Sequence, residues 1–360
     1  MSEPSSSSPP VSRNVEKVAR SLFEDEASQR AFLEAVARGD SGVTAAVWAN
    51  GEVESGFCAE GPRPDWLPSW ISVAAENERP GKLPVHEEGK IYCMDLSSTF
   101  ACSLMSAIKE PCEVVVDVCA SPGGKGIVAR RYLSPQLLVG NEVIGKRTAA
   151  LISNYRRCSI DPSVVTSLDP EVLGREIPGR AGLVVVDAPC SGQSLMLKGL
   201  AAPGAFHPAT IGMNERRQRR ILAHASKIVA PGGYLLYATC TFSTEENERN
   251  VEWFVKTFPD FTAVEVEELR GYRSHLSTLP SYRLWPQLGK GAGAFAALLK
   301  RADSPEQREQ GSSEEVLSRL RTSWRSPTLF VSGPREETRG RSSKKRDKKP
   351  YKRERYRGGL

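Results

Sequence analysis

The chain has 360 residues, 49 Lys/Arg against 43 Asp/Glu, a net charge of +6 and 39% apolar residues. That length allows two domains, or one large domain with appendages. No run of about 18 apolar residues is present, which excludes a membrane-spanning helix. The eight cysteines contain no CxxC pair, which leaves a zinc site without support and predicts no metal.

The opening MSEPSSSSPPVSRN lacks the apolar core of a secretory signal, and its Ser/Pro richness predicts a disordered lead over residues 1–13. Thiols in such a chain are expected to stay reduced, in the cytoplasm, or in the nucleus or nucleolus of a eukaryotic host. Residues 14–40 carry helical apolar spacing in two pieces, Val15/Val18/Leu22 and Phe32/Leu33/Val36. Short apolar runs broken by Gly and Pro follow, so residues 14–95 read as a small α+β region. IYCMDLSSTFACSLMSAI then passes from strand into helix, with Ser97 or Ser98 as the expected N-cap.

From Cys112 the texture becomes strand–helix–strand. EVVVDV (113–118), LLVGNEVI (137–144), 163–167, GLVVVDA (182–188) and GGYLLYAT (232–239) read as five strands. Helical stretches lie between them, with 214–229 and 245–258 the clearest. This alternation predicts a parallel sheet covered on both faces. Two later runs, 261–269 and 293–301, are expected to close the sheet antiparallel. Residues 302–335 read as polar and peripheral. From Arg339 to Arg357, 11 Lys/Arg stand against 2 Asp/Glu, a local charge of +9 that leaves −3 for the rest. This tail reads as a nonspecific nucleic-acid arm, a solvated tail or a nuclear address.

Ligands of open α/β sheets sit outside the carboxyl ends of the strands, and the sequence concentrates chemistry there. The first strand runs into CASPGGKG, whose glycines make either a tight βα turn or a loop that a ligand approaches closely. It matches neither GxGxxG nor GxxxxGK[ST], so dinucleotide and P-loop readings fail. Glu142, at the tip of the second strand, is either an ordinary strand-end carboxylate or the acid that holds a ribose diol. Asp169 stands in the same relation to the third strand. The fourth strand ends in Asp187-Ala188-Pro189-Cys190-Ser191-Gly192, and the fifth in Thr239-Cys240-Thr241. Each cysteine alone could be core; two at neighbouring strand tips point to one crevice. Ser243 and Glu246 fit a capping box, which would set Cys240 before a helix N-terminus, where thiolate is favoured.

DVCASPGGKG, NEVIGKR, DAPCSG and YATCTFSTEENE, in this order and spacing, resemble the motifs of the NOL/NOP/Sun-type RNA cytosine-5 methyltransferases. IYCMDLSS and RLWPQLGKGAGAFAALLKR resemble their flanking segments, so the likeness covers about residues 89–301. It implies a class I fold, with a Rossmann-like, seven-stranded, mostly parallel sheet and an antiparallel final strand, and S-adenosylmethionine (SAM) as cofactor. The implied domains are an RNA-binding region over 14–95, a catalytic domain over 96–301, and a linker with basic tail over 302–360. Carried over residue by residue, Cys119, Ala120, Ser121, Pro122, Gly123, Gly124 and Lys125 form the cofactor loop. Glu142 holds the ribose, Asp169 faces the adenine, and Arg147 and Asp187 complete the cofactor set. Cys240 is the implied nucleophile and Cys190 the helper in product release, with Asp187 and Lys125 at the reacting centre. Ser121 and Ser194 depart from the family's usual Ala and Gly.

The expected partner of this monomer is RNA, ribosomal RNA before transfer RNA. Two rivals remain: a DNA cytosine-5 methyltransferase, which would use the cysteine of Pro189-Cys190, and a noncatalytic RNA-binding assembly factor.

Overall fold

The run Val114–Asp117, three valines and an aspartate, is buried on both faces, as a strand in the middle of a parallel sheet must be. The computed structural model describes residues 12–39, 43–51, 54, 56–304 and 312–330. The basic tail and nearly all of the expected disordered lead lie outside the described residues.

Two helices, α1 (Arg13–Leu22) and α2 (Glu26–Arg38), open the described chain. The side chain of Asp25 caps α2 by accepting from Ser28 N at 2.7 Å. A small antiparallel sheet follows, with β1 (Thr44–Trp48) between β2 (Ile71–Val73) and β3 (Ile91–Asp95). A single helical turn, α3 (Pro84–Glu87), precedes β3. Helix α4 (Leu96–Ser103) starts directly after β3. Its N-cap is neither Ser97 nor Ser98. Asp95 caps it instead, accepting from Ser97 N at 2.9 Å, because a carboxylate at the strand end reaches the first free amides before either serine does.

The main sheet is built by β4 (Val114–Asp117), β5 (Leu137–Asn141), β6 (Ser163–Thr166), β7 (Ala181–Asp187) and β8 (Val229–Thr239), all parallel in the order β6-β5-β4-β7-β8. Helices α5 (Gly124–Leu133), α6 (Gly145–Arg157), α7 (Pro170–Glu176) and α8 (Pro208–Ile228) make the crossovers, and α9 (Glu248–Thr257) follows β8. Helix α8 begins six residues before the expected Asn214. Pro208 sits in its first turn, where a missing N–H costs nothing, and His207 Nδ1 accepts from Ala209 N at 3.2 Å.

Antiparallel closure is as expected: β11 (Ala294–Arg301) pairs with β8, and β9 (Phe261–Ala263) pairs with β11. The run 261–269, however, is a strand for only three residues. Two short strands carry no sequence signal. β10 (Tyr282–Leu284) adds to the edge of β11, and β12 (Trp324–Arg325) pairs antiparallel with β6 after helix α10 (Ser313–Arg319). Part of the segment read as peripheral therefore extends the sheet.

Apolar side chains pack on both faces of the sheet. On one face, Val115, Leu138, Leu183 and Leu236 share a core with Ala45, Val47, Ile71 and Val73 of the small sheet. The N-terminal region is thus welded to the main sheet. Helices α1 and α2 form a further core with Phe242 and Leu197, residues that flank the two cysteine motifs.

Candidate active site

Parallel register brings the chemistry together. Asp117 pairs with Gly140 and with Val185, and Asp187 pairs with Ala238. The tips of β4, β5, β7 and β8 therefore open on one side, with Cys190 three residues beyond the tip of β7 and Cys240 directly after that of β8. The two sulfurs lie 3.1 Å apart as free thiols. Lys125 Nζ, from the first turn of α5, is 2.7 Å from Asp187 Oδ2, and Lys198 Nζ is 3.4 Å from Asp95 Oδ2.

The thiols are electrostatically unequal. The hydrogen bond from Cys190 lowers the Cys240 pKa below the ordinary thiol value; burial and Asp187 oppose this, and Lys125 and Lys198 assist. The same hydrogen bond, followed by burial, the charge of Cys240 and then that of Glu246, pushes Cys190 well above it. One proton is thus held on Cys190 and the thiolate is favoured on Cys240. Burial opposes the charge of Lys125, yet Asp187 outweighs it and Lys125 stays firmly protonated.

A loop with free donors lies beside this pair. Gly123 takes φ +119°, a conformation that favours glycine, and precedes α5 without any side-chain cap. The first amides of α5 thus keep their donors and the positive end of the helix dipole. The loop itself is pinned. Ala120 N donates to Asn141 O (2.8 Å), Ser121 Oγ to Arg147 O (2.9 Å), Arg147 Nη2 to Ser121 O (2.6 Å) and Asn154 Nδ2 to Pro122 O (2.8 Å). Cys119 is partly buried, and burial raises its thiol pKa, so it acts as packing rather than as a nucleophile.

Glu142 is 3% exposed. Its Oε1 accepts from Ile144 N at 2.9 Å, while Oε2 stands 3.3 Å from Arg147 Nη1 without hydrogen-bond geometry and has no hydrogen-bond partner among the described atoms. Asp117 Oδ1, on the adjacent strand tip, is also buried without a partner. Burial first, and the charge of Asp187 second, raise the Asp117 pKa to about 7. Two orphaned acceptors beside uncapped amides fit a ligand that carries hydroxyl or ammonium donors and an anionic group. Asp169 is engaged otherwise: its Oδ1 caps α7 through Glu171 N (2.9 Å) and accepts from Arg220 Nη2 (2.8 Å).

The expected capping box is absent. Ser243 Oγ accepts from Gln193 Nε2 at 2.6 Å, and its side chain caps no helix. Glu246 turns inward, where its Oε2 accepts from Ser191 N (2.9 Å) and Gln218 Nε2 (2.8 Å). Residues 244–246 form only one 3-10 turn before α9, because the glutamate is drawn to these buried donors rather than back to Ser243. Gln193 is a second bridge: its Oε1 accepts from Phe242 N (2.7 Å) and Ser243 N (3.1 Å). No sequence pattern marks Gln193, Lys198 or Asp117 as site residues, and Glu246 is legible only as a helix-start residue. A separate cavity of about 630 Å³, lined by Tyr155, Arg156, Trp324 and Arg325 among others, lies around the start of β6, at the opposite end of the strands from the cysteines.

A parallel sheet closed by an antiparallel strand, with a glycine loop and acids at the tips of its first strands, defines a class I SAM-dependent methyltransferase fold. A family model described as 16S rRNA methyltransferase RsmB/F matches residues 105–300, and the chain belongs to that family. The resemblance to the NOL/NOP/Sun type is thereby borne out. The chain is 31% identical over 253 residues to the ribosomal RNA small subunit methyltransferase F of Pectobacterium carotovorum, covering 69% of this chain and 51% of that protein. It thus spans about half the length of the curated relatives it matches. Among solved structures, PH0851 is similar with a TM-score of 0.67 at 25% identity, over 80% of this chain and 65% of that one. NSun6 from Pyrococcus horikoshii shares the fold with a TM-score of 0.63 at 16% identity, over 81% and 99%.

Proposed function

We propose that this chain is a SAM-dependent RNA cytosine-C5 methyltransferase that acts on ribosomal RNA in the cytoplasm. The observation that carries the proposal is the pair of thiols 3.1 Å apart, beside the Lys125–Asp187 ion pair. The rRNA substrate rests on the names of the relatives. The chain's partial coverage of those relatives makes this a reading of its own residues rather than a transfer.

SAM supplies an electrophilic methyl group. In this reading Glu142 holds its ribose hydroxyls, and the amides of the Cys119–Lys125 loop and the start of α5 hold its carboxylate. Arg147 fixes the loop, and Asp169 borders the adenine through its backbone, since its carboxylate is already paired with Arg220.

Carbon 5 of cytosine is a poor nucleophile. The Cys240 thiolate adds to carbon 6 and makes the ring enamine-like, so that carbon 5 can attack. Asp187, which shares the Lys125 proton, passes it toward ring N3 as negative charge builds there. A water then takes the carbon 5 proton, the carbon 6–sulfur bond breaks, and its electron pair leaves on the Cys240 sulfur. Cys190, which holds the shared proton 3.1 Å away, returns it to the departing sulfur. The flipped base supplies specificity, and phosphate contacts supply affinity.

Methyl transfer from labelled SAM to rRNA, tRNA and DNA tests this, with bisulfite sequencing of rRNA from a strain that lacks the protein. Loss of one rRNA methylcytosine is expected. An unchanged RNA profile with methylated DNA would point to the DNA enzyme class. SAM binding without turnover would point to an assembly factor.

A further inference from the structure

Glu246 is fully buried in the motif that follows Cys240, yet its carboxylate serves the other cysteine's loop. Oε2 accepts from the backbone N–H of Ser191, the residue next to Cys190. It also accepts from Gln218 Nε2, which in turn donates to Pro189 O at 3.0 Å. Asn250 Nδ2 donates to Gln218 Oε1 (2.9 Å) and holds that amide in orientation, and Tyr237 OH donates to Glu246 O (2.5 Å). Ser191 Oγ and Thr241 Oγ1, one residue beyond each cysteine, lie 2.7 Å apart. Together these links join the β7 loop to the β8 loop, and the glutamate is at the centre.

Both hydrogen bonds to Oε2 come from N–H donors, which favour the ionised carboxylate. Burial raises the Glu246 pKa, and the Ser191 and Gln218 donors oppose that rise. The charged groups that act on the thiol pair are Asp187 from β7, Lys125 from α5, Lys198 from the turn after Gly192, and Glu246. Of these, Glu246 acts on Cys190, whereas both lysines act on Cys240.

We propose that Glu246 is a positioning residue: it clamps the Cys190 loop to the Cys240 loop, and its buried negative charge adds to the bias that makes Cys240 the nucleophile. The proposal rests on the cysteine roles above but is tested without RNA or cofactor. The full-length chain is treated with limiting iodoacetamide from pH 6 to 10, and first-hit alkylation of each cysteine is counted by peptide mass spectrometry. In the native chain Cys240 reacts first, by about tenfold over Cys190 at neutral pH, because the thiolate is the reacting form. Glu246→Gln keeps the shape and an acceptor oxygen but removes the charge. It narrows the ratio and moves the Cys190 profile to lower pH. Glu246→Asp keeps the charge and restores the preference for Cys240. In turnover, Glu246→Gln lowers kcat by roughly the same factor and leaves KM for SAM unchanged.

An unchanged alkylation ratio and pH profile in a folded Glu246→Gln chain would overturn the proposal. So would preferential alkylation of Cys190 in the native chain, a measurement that stands even if the variant does not fold. Absence of methyl transfer in the native chain would sink the functional reading but leave the alkylation result standing.

Discussion

Asp117 is the residue whose behaviour departs most from its sequence appearance. In the strand pattern it is one more residue of VVVD, yet it is buried with an unpartnered oxygen and a pKa of about 7. Its unfolded pKa is about 3.9. Between these values the folded chain binds more protons than the unfolded one, so stability falls as pH rises from about 4 to about 7 and levels off above. Asp117→Asn should remove that decline, which amounts to about 1.4 kcal/mol for every pH unit between the two values. Urea denaturation at pH 5 and pH 8 measures it, and parallel pH profiles of the two chains would rule out Asp117 as the source. The cysteines were legible because a thiol at a strand tip is chemically unusual. Glu246 and Gln193 were not, because a residue that works through loops about 50 positions away leaves no local pattern.

Among the secondary-structure elements, the long buried strands and crossover helices declared themselves through continuous β-branched runs and helical spacing. What failed was short or capped by an unexpected group: β10 and β12 have three and two residues, and two helix starts went to Asp95 and Pro208. The pair α1–α2 was legible as two helices but not as a support for the cysteine loops. Phe32 lies edge-on to Phe242 at 5.1 Å and to Trp285 at 6.4 Å, and Phe242 is two residues after Cys240. Phe32→Ala should cost about 3–5 kcal/mol, since both rings lose their partner in a closed core. The milder Phe32→Leu should cost about 1 kcal/mol and lower kcat while leaving SAM affinity intact. Denaturation curves with single-turnover rates check this. Full activity in Phe32→Leu would mean that the pair does not brace the loop.

Across the whole molecule, the charge is divided. Residues 339–357 carry +9 and the remainder about −3, so the proposed affinity for RNA is expected chiefly from that segment. Deleting it should weaken RNA binding and flatten its dependence on salt, because fewer counterions are released. The kcat at saturating RNA should not change, since every proposed catalytic group lies between Lys125 and Cys240. Binding titrations at several salt concentrations decide this, and a slope unaffected by the deletion would move the RNA contact to the rest of the chain. Fold and glycine loop were thus legible as a continuous stretch of sequence, whereas the linkage of the N-terminal sheet and helices to that stretch exists only in packing.

The proposed mechanism stands on two thiols that divide one reaction, with Cys240 bonding to the base and Cys190 releasing it. Native, Cys190→Ala and Cys240→Ala chains incubated with SAM and rRNA, then denatured and resolved by mass, separate these roles in a single experiment. A denaturation-resistant RNA adduct should accumulate in Cys190→Ala, map to Cys240, and be absent from Cys240→Ala. An adduct in Cys240→Ala, or one mapped to Cys190, would refute that division of labour.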